Sequence, residues 1–105
     1  MKNFFNLYFV FFLFLGMYEK STAQDWANLA KYEAENALIP AKKAGEKRII
    51  LMGDSITEFW LKTHPEFFEG KPYLDRGISG QTTPQMLIRF RPDVINLHPE
   101  VVVIL

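Results

Sequence analysis

Two uninterrupted apolar runs constrain this 105-residue chain more than any other feature of its sequence. Residues 48–52 and 101–105 lack the alternation of apolar and polar side chains that a half-exposed strand shows. Such composition is typical of strands buried on both faces, which occur in parallel sheets covered by helices. A third, shorter strand is predicted at residues 73–78. The chain is therefore predicted to have an α/β fold.

Three further segments carry apolar residues at the three- and four-residue spacing of a helix. The first begins at Asp25 and stops before Pro40. In the other two, the side chains predicted to face the sheet are Ile56, Phe59 and Trp60, and then Leu87, Phe90, Val94 and Leu97. Helices and strands thus alternate along the chain, which predicts a parallel sheet with helices on its faces.

Prolines and threonines define the expected limits of the third helix. Pro84 is expected at its first position, where a missing N–H costs nothing, with Thr82 or Thr83 as the cap. Pro92 is expected to kink or interrupt the same helix. Between the second helix and the second strand, residues 66–71 are predicted to form an irregular surface connection.

Residues 1–23 are predicted to be a signal peptide and not part of the fold. A positive start, Met1-Lys2, precedes a nearly continuous apolar run over residues 4–17, and Ser21-Thr22-Ala23 offers the small side chains that signal peptidase needs. Cleavage is expected after Ala23 or one residue later. A transmembrane helix is the alternative, but the run is shorter than the roughly 20 apolar residues that cross a bilayer. We therefore expect a secreted or periplasmic protein without a stable membrane anchor after cleavage.

Composition excludes several classes of function. Twelve basic and twelve acidic residues balance, so no surplus of positive charge indicates a nucleic acid as partner. The absence of cysteine excludes disulfides, thiolate metal sites, cysteine nucleophiles and a lipid anchor on cysteine. The two histidines, His64 and His98, are too few and too far apart to indicate a metal cluster. No metal or organic cofactor is expected.

The part of the chain after the leader, residues 24–105, is short for an independent domain. Common domains have about 100–150 residues, and three parallel strands with two apolar faces leave much hydrophobic surface uncovered. The last predicted strand also ends at the carboxyl edge of the sheet, where open parallel sheets bind their ligands. These residues are therefore expected to be the amino-terminal part of a larger domain.

The residues after the first strand form the first candidate site. Gly53 permits a sharp turn off the strand, and Ser55 follows at the amino end of the next helix, where free N–H groups favour a developing negative charge. A serine nucleophile needs this exposure and its own N–H directed at the oxyanion. In the alternative interpretation Ser55 is only a cap, because Ser55 and Glu58 match a capping box. The segment is not the Gly-x-Ser-x-Gly elbow of α/β-hydrolases, because Thr57 stands where that motif has its second glycine.

A second glycine-containing segment follows the second strand. In a doubly wound sheet its loop emerges at the same carboxyl edge as the loop of Ser55. Gly80 has no side chain to block an approaching group, so its N–H can serve as a second oxyanion donor. In the alternative interpretation Gly77 and Gly80 only form a tight turn.

Together the two segments resemble the SGNH hydrolases, also known as the GDSL family of esterases and lipases. The matching residues are 49–57, with Gly-Asp-Ser-Ile-Thr, and 75–83, with Arg-Gly-Ile-Ser-Gly-Gln-Thr, followed by 86–90, 94–99 and 101–105. The resemblance implies a three-layer α/β/α sandwich with a doubly wound, flavodoxin-like parallel sheet, of which the first three strands are present. It also implies ester hydrolysis, with Ser55 as nucleophile and oxyanion-hole N–H donor and Gly80 as a second N–H donor.

The resemblance also implies groups that these 105 residues do not contain. The family has a Gly-x-Asn-Asp block with a third oxyanion donor and an Asp-x-x-His block with the base and its carboxylate. Neither His64 nor His98 has an aspartate three residues before it, so both are predicted to be structural or surface residues. Asp54 is expected to hold its loop through hydrogen bonds. Without base and acid, the chain as given is expected to be almost inactive.

The family's substrates are acyl esters, here acetylated carbohydrates, other short-chain esters or lysophospholipids. Four aromatic residues are predicted either to line an acyl or sugar site or, alternatively, to pack in the core: Phe59, Trp60, Phe67 and Phe68. A different class of function also stands as an alternative, a non-catalytic remnant or an exported binding module on a flavodoxin-like half-fold. Glycine loops at strand ends can bind phosphate, but neither loop has dinucleotide or P-loop spacing. The oligomeric state is not predicted.

Overall fold

A computed structural model describes residues 24–105, and the predicted signal peptide lies outside the described residues. In chain order the elements are α1 (Glu33–Leu38), β1 (Ile49–Gly53), α2 (Ser55–Thr63), α3 (Pro65–Phe68), β2 (Tyr73–Gly77), α4 (Thr83–Asp93), a 3₁₀ helix (Ile95–Leu97) and β3 (Val101–Ile104). The predicted alternation of helix and strand is confirmed. Within this part of the chain no helix has the length and apolarity that a membrane crossing requires.

The three strands form one parallel sheet in the order β2-β1-β3. Ile49 pairs with both Tyr73 and Val101, so all three strands start at one edge, and Gly53 pairs with Gly77 at the opposite, carboxyl edge. The chain moves outward from β1 to β2 and then crosses to the other side of β1. That reversal is the start of a doubly wound sheet, with its switch point between β1 and β3.

Helices lie on both faces of this sheet, but β3 stays largely exposed, with Val101 48% and Ile104 61% exposed. The prediction that residues 101–105 are buried on both faces is therefore wrong, because no helix among the described residues covers this edge strand. Ile50 and Met52 of β1 pack in one cluster with Met86 of α4, and α1 packs against α4. Strand residues alternate between faces, so Gly53 and Gly77 point the other way, toward α2. The predicted α/β/α layering with a flavodoxin-like beginning is therefore confirmed.

The core on the α4 side contains Ile50, Met52, Met86, Val94 and Leu97. Leu87, which was predicted to belong to this face, is instead 75% exposed. Pro92 lies inside the helix, which continues to Asp93, so the expected kink or interruption at this proline stays a prediction. Val94 and Leu97 reach the core only because the chain continues into a 3₁₀ helix. Thr82 is the cap, and Pro84 occupies the second helical position, not the first.

The predicted inner face of α2 is wrong. Ile56 is 73% exposed and Phe59 is 47% exposed, whereas Thr57 is completely buried. The reason is how closely the helix approaches the sheet. A Cβ atom at Gly77 would meet the α2 backbone, and one at Gly53 would meet the Thr57 side chain. The first turn of α2 therefore seats directly on the two strand ends, and a small side chain fills the contact.

The amino-terminal helix is shorter than its apolar spacing predicts. It begins at Glu33 and not at Asp25, and residues 26–32 form turns. Asn28 lies in the left-handed region, with φ of 56°, which interrupts a helix at that point. Asp25 accepts the N–H groups of Leu29 at 2.8 Å and Ala30 at 3.0 Å. These two hydrogen bonds lower the pKa of the Asp25 carboxyl and close the turns.

The connection between α2 and β2 is helical where an irregular segment was predicted. Pro65–Phe68 form one turn, and Phe68 is buried. The Trp60 ring stacks on the Phe67 ring with 4.9 Å between centroids, and Phe67 contacts Tyr73 at 5.5 Å. An aromatic cluster therefore organises this segment, and Tyr73 places it at the amino edge of the sheet.

A fully buried arginine ties α4 to the end of β1. Arg89 donates hydrogen bonds to Gln81 Oε1 at 2.5 Å, to Asp93 Oδ2 at 3.1 Å and to the Gly53 carbonyl oxygen at 3.3 Å. Both Arg89 and Asp93 have no exposed surface. Because an unpaired buried charge is very costly, each of these two residues requires the other.

A second buried arginine extends this network to α1. Arg76 of β2 donates to Asn36 Oδ1 at 3.0 Å and to Glu35 Oε1 at 2.9 Å, and it lies 4.7 Å from the centre of the Tyr32 ring. The Asn36 amide in turn donates to Asp93 Oδ1 at 2.7 Å. One continuous polar network therefore connects α1, β2, α4 and the end of β1.

The network predicts the result of replacing Arg89 by methionine. We expect Arg89→Met to lower the free energy of unfolding by about 3–5 kcal/mol, because the Asp93 carboxylate is left buried without its cation. Arg91→Met is the matched control, since Arg91 is exposed on the same helix and should change stability by only about 0.5 kcal/mol. Urea unfolding followed by circular dichroism measures both, and equal effects would contradict a structural role for the network.

Candidate active site

Ser55 is the first residue of α2, two residues after the end of β1. Its side chain is partly exposed at the carboxyl edge of the sheet. Among residues 24–105, neither its backbone N–H nor its hydroxyl has a hydrogen-bond partner. Ser55 therefore has the position at a strand tip and helix amino end that its sequence context predicts, with both groups available.

The predicted capping box between Ser55 and Glu58 is wrong. Asp54 is the cap of α2, and its Oδ1 accepts the Ile56 N–H at 3.0 Å. This hydrogen bond agrees with the expectation that Asp54 holds the loop. The Glu58 carboxylate points away from the amino end of α2 and toward Ser79. Since Asp54 does the capping, the Ser55 hydroxyl is not engaged as a cap in the described part of the chain.

The two glycines that end β1 and β2 serve close packing rather than turns. A Cβ atom at Gly53 would lie 2.5 Å from the Leu105 carbonyl oxygen, and one at Gly77 would lie 2.7 Å from Glu58 Cα. Neither glycine has a positive φ. The chain does turn sharply off β1, with a bend at Asp54 directly before α2, but the turn does not use a positive φ at Gly53. The expectation of a tight turn at Gly77 is wrong, because Gly77 is the last residue of β2. Both positions need glycine because α2 lies against the strand ends.

Gly80 does lie in a tight turn. The Gln81 N–H donates to the Ile78 carbonyl oxygen at 3.2 Å, and Gly80 between them has a φ of 76°, which favours glycine. A side chain added at Gly80 would meet nothing within 4 Å. Its N–H has no acceptor among the described residues. The turn and the available N–H, predicted as alternatives, occur together.

Two sets of hydrogen bonds bring the Ser55 and Gly80 loops together. The Ile78 N–H donates to the Gly53 carbonyl oxygen at 3.0 Å, which continues the pairing of β1 and β2 into the second loop. The Ser79 N–H and hydroxyl both donate to Glu58 Oε2, at 2.5 Å and 2.6 Å. The loops therefore leave adjacent strands and are joined by a side chain of α2, as a shared site requires.

Glu58 is an ionised carboxylate in this arrangement. Partial burial acts to raise the pKa of Glu58, but hydrogen bonds from Lys31 and from Ser79 outweigh it and lower the pKa to about 2. Lys31 also forms an ion pair with Glu58. The carboxylate thus keeps its charge at neutral pH, and the Lys31 ammonium balances that charge.

The carbonyl groups of the two strand-end glycines are held by side chains that the sequence interpretation did not single out. Arg89 donates to the Gly53 oxygen at 3.3 Å, and the Tyr32 hydroxyl donates to the Gly77 oxygen at 2.5 Å. Burial, followed by the nearby Asp75 carboxylate, raises the pKa of Tyr32, so its hydroxyl keeps the proton that it donates. The sequence contains one signal for Arg89: it lies three residues after the apolar Met86, and therefore on the same face of α4.

Neither histidine lies at the edge of the sheet that carries Ser55. His64 follows the last residue of α2, at the other end of the helix, and its Nδ1 lies 3.1 Å from Glu66 Oε1. His98 precedes β3, at the amino edge. Both have exposed side chains, which agrees with their prediction as structural or surface residues.

The four aromatic residues considered for an acyl or sugar site divide into two groups. Trp60, Phe67 and Phe68 pack together near Tyr73 at the amino edge, so packing is their observed role. Phe59 is exposed, one helical turn from Ser55, with Lys62 Nζ 5.1 Å from its ring centre. Only Phe59 of the four is therefore near the candidate site. Within residues 24–105 no three His, Asp or Glu side chains are grouped to hold a metal ion.

Two crystal structures of Bacteroides proteins resemble this chain. A proposed acylhydrolase from Bacteroides fragilis NCTC 9343 is 56% identical with a TM-score of 0.75, over 77% of this chain and 39% of that chain. A GDSL-like lipase from Bacteroides thetaiotaomicron VPI-5482 is 54% identical with a TM-score of 0.72, over 74% of this chain and 38% of that chain. No family model and no curated protein matches. Over the segment that it shares with these structures, which is about two fifths of their length, the chain belongs to the SGNH, or GDSL-type, hydrolase family.

Proposed function

We propose that the full-length gene product is a serine ester hydrolase in which Ser55 is the nucleophile. One observation carries the proposal: at a helix amino end, the hydroxyl and N–H of Ser55 have no hydrogen-bond partner within residues 24–105, and the same holds for the N–H of Gly80 in the adjoining loop. Serine esterases need a reactive oxygen next to N–H groups that donate hydrogen bonds to the oxyanion of the tetrahedral intermediate and so stabilise its negative charge. The family membership of the chain supports the same chemistry.

In the proposed reaction, Ser55 Oγ bonds to the acyl carbon while a base removes its proton. The N–H groups of Ser55 and Gly80 stabilise the oxyanion, and the helix dipole of α2 adds to their effect. The bond to the alcohol oxygen then breaks, the alcohol leaves with the proton, and water hydrolyses the acyl-enzyme. The base and its carboxylate are assigned to the family's Asp-x-x-His block, which residues 1–105 do not contain.

We propose acyl esters as substrates, with acetyl or other short-chain groups on carbohydrates or lipids, lysophospholipids included. The two related crystal structures are of a proposed acylhydrolase and a GDSL-like lipase. Ile56 and Phe59 support an acyl substrate, because both expose apolar side chains within one helical turn of Ser55. The substrate is proposed as a small molecule, glycan or lipid, and not a nucleic acid.

We also propose that the protein is exported, on the basis of the leader-like residues 1–23. The expected result is a mature amino terminus at Gln24 or Asp25 in protein recovered from the periplasm or the medium. Amino-terminal sequencing measures it. Recovery of a chain that still begins at Met1 and remains with the membrane fraction would favour the anchor interpretation instead.

Replacing Ser55 tests the nucleophile directly. In the full-length gene product, Ser55→Ala should abolish labelling by a fluorophosphonate probe and reduce ester hydrolysis by about four to six decades. Thr63→Ala is the control and should still be labelled, because Thr63 is the last residue of α2, at the opposite end from Ser55, and its hydroxyl donates to the Phe59 carbonyl oxygen. Unchanged labelling of Ser55→Ala would reject Ser55 as nucleophile. Absence of labelling in the unaltered protein would favour a binding module or an inactive remnant.

Gly80 and Gly70 form a matched pair for testing the second oxyanion donor. Both have a positive φ, 76° and 70°, and both have open space where a side chain would lie. Alanine should cost about 1–2 kcal/mol of stability at either position because of backbone strain. Only Gly80→Ala should also lower kcat, by up to about 10²–10³-fold, because the strained turn displaces its N–H. Equal kcat values for the two variants would remove Gly80 from the oxyanion site.

A further inference from the structure

Glu58 joins the two loops of the candidate site through a single side chain. It belongs to α2, the helix that begins with Ser55, and its Oε2 accepts two hydrogen bonds from Ser79, the residue before Gly80. Its Oε1 is paired with Lys31 of the amino-terminal segment. The side chain of Glu58 is only 15% exposed. Nothing in the proposed reaction so far uses this residue.

We propose that Glu58 is a positioning residue that sets the distance between the oxyanion donors, and that Lys31 neutralises its charge. The inference rests on the proposed function, because it concerns the N–H groups of Ser55 and Gly80. Glu58 does not touch the reacting atoms in this proposal. It acts by holding the turn of Ser79 and Gly80 against α2.

The geometry favours this role because the residues on either side of Gly80 are held by different parts of the fold. Gln81 is held by Ala27 and Arg89, whereas Ser79 is held by Glu58 of α2. The hydrogen bond from Ile78 to the Gly53 carbonyl oxygen fixes only the beginning of the turn. A Cβ atom added at Gly80 would meet no other atom within 4 Å. Ser79, the residue before the donor, therefore ties the turn to α2 through Glu58. Oxyanion donors require positions accurate to about 0.5 Å, and the side-chain anchors of Gln81 lie outside α2, the helix that carries Ser55.

Two hydrogen bonds from one residue provide that accuracy. The Ser79 N–H fixes the backbone of the turn, and its hydroxyl fixes the side chain, both on the same carboxylate oxygen. Ser55 and Glu58 lie three residues apart on one helix, so α2 carries the Ser55 N–H and the anchor for Gly80 as a rigid unit. Any movement of the turn relative to α2 must break these hydrogen bonds.

The role of Lys31 follows from charge. An unbalanced carboxylate near the oxyanion would oppose the development of negative charge in the transition state. The ion pair with Lys31 removes most of that opposition, and both side chains are only partly exposed. The pKa of Glu58 is about 2, the net result of burial, which acts to raise it, and stronger lowering by Lys31 and Ser79. The carboxylate therefore accepts hydrogen bonds throughout the neutral range.

The test uses variants of Glu58 in the full-length gene product, with p-nitrophenyl acetate and a fluorophosphonate probe. We expect Glu58→Ala to lower kcat and the labelling rate by about 10–10²-fold with little change in KM, because donor placement matters mainly in the transition state. Glu58→Gln retains an acceptor for Ser79 and should recover most of the activity. Glu66→Ala is the control, since Glu66 is exposed and pairs with His64 at the other end of α2.

Each outcome decides between the inference and the proposed function. If Ser55→Ala abolishes activity while Glu58→Ala and Glu66→Ala have equal kcat values, the inference fails and the proposed function stands. If Ser55→Ala keeps full labelling, the proposed function itself fails. A Glu58→Gln variant as impaired as Glu58→Ala would also overturn the inference.

If Glu58→Ala does not fold, Lys31→Met provides the decisive measurement. This variant keeps the hydrogen bonds from Ser79 but leaves the Glu58 carboxylate without its counter-ion. We expect kcat to fall by about tenfold with KM unchanged and thermal stability close to that of the unaltered protein. An unchanged kcat would contradict the proposed charge balance and overturn the inference.

Discussion

The pairing of Arg89 with Asp93 inside the sandwich is the interaction on which the rest of the described structure depends. Both side chains are fully buried, so neither charge can be satisfied by water. The same guanidinium reaches the Gly53 carbonyl oxygen, and Asn36 connects Asp93 to Arg76. Buried charges tolerate few alternative arrangements, because every displaced partner leaves an uncompensated group. The amino-terminal segment, the helix α4 and the end of β1 are therefore fixed relative to one another.

This constraint determines how the candidate site is supported. Arg89 and Tyr32 hold the carbonyl oxygens of Gly53 and Gly77 from the α4 side. From the other side, α2 seats on the same two glycines because they lack side chains. Ser55 and the turn of Gly80 therefore follow directly after strand ends that are held from both sides. Preorganised donors of this kind cost no rearrangement when negative charge develops.

Much of the fold and the position of both candidate residues could be predicted from sequence. The apolar runs indicated parallel strands, although β3 is largely exposed, and two motif blocks indicated Ser55 and Gly80 at one sheet edge. Which face of α2 is buried could not be predicted, because helical spacing describes the apolar stripe but not how near the sheet lies. At that close approach Thr57 fits, and Ile56 and Phe59 are left outside. The cap was also ambiguous, since Asp54 and Ser55 are both good capping residues.

The sequence by itself determined the α/β class, the parallel sheet and the residues of the two loops, because these follow from local periodicity and short motifs. The tertiary structure decided which of those residues are free and which are engaged. Asp54 caps α2, and Glu58 accepts hydrogen bonds from Ser79. Within residues 24–105 the Ser55 hydroxyl is therefore left without a hydrogen-bond partner. Hydrogen-bond partners distant in the chain, such as Glu58 with Ser79 and Lys31, are chosen by packing. No local pattern contains that information, because it arises only when α2 rests on the ends of β1 and β2.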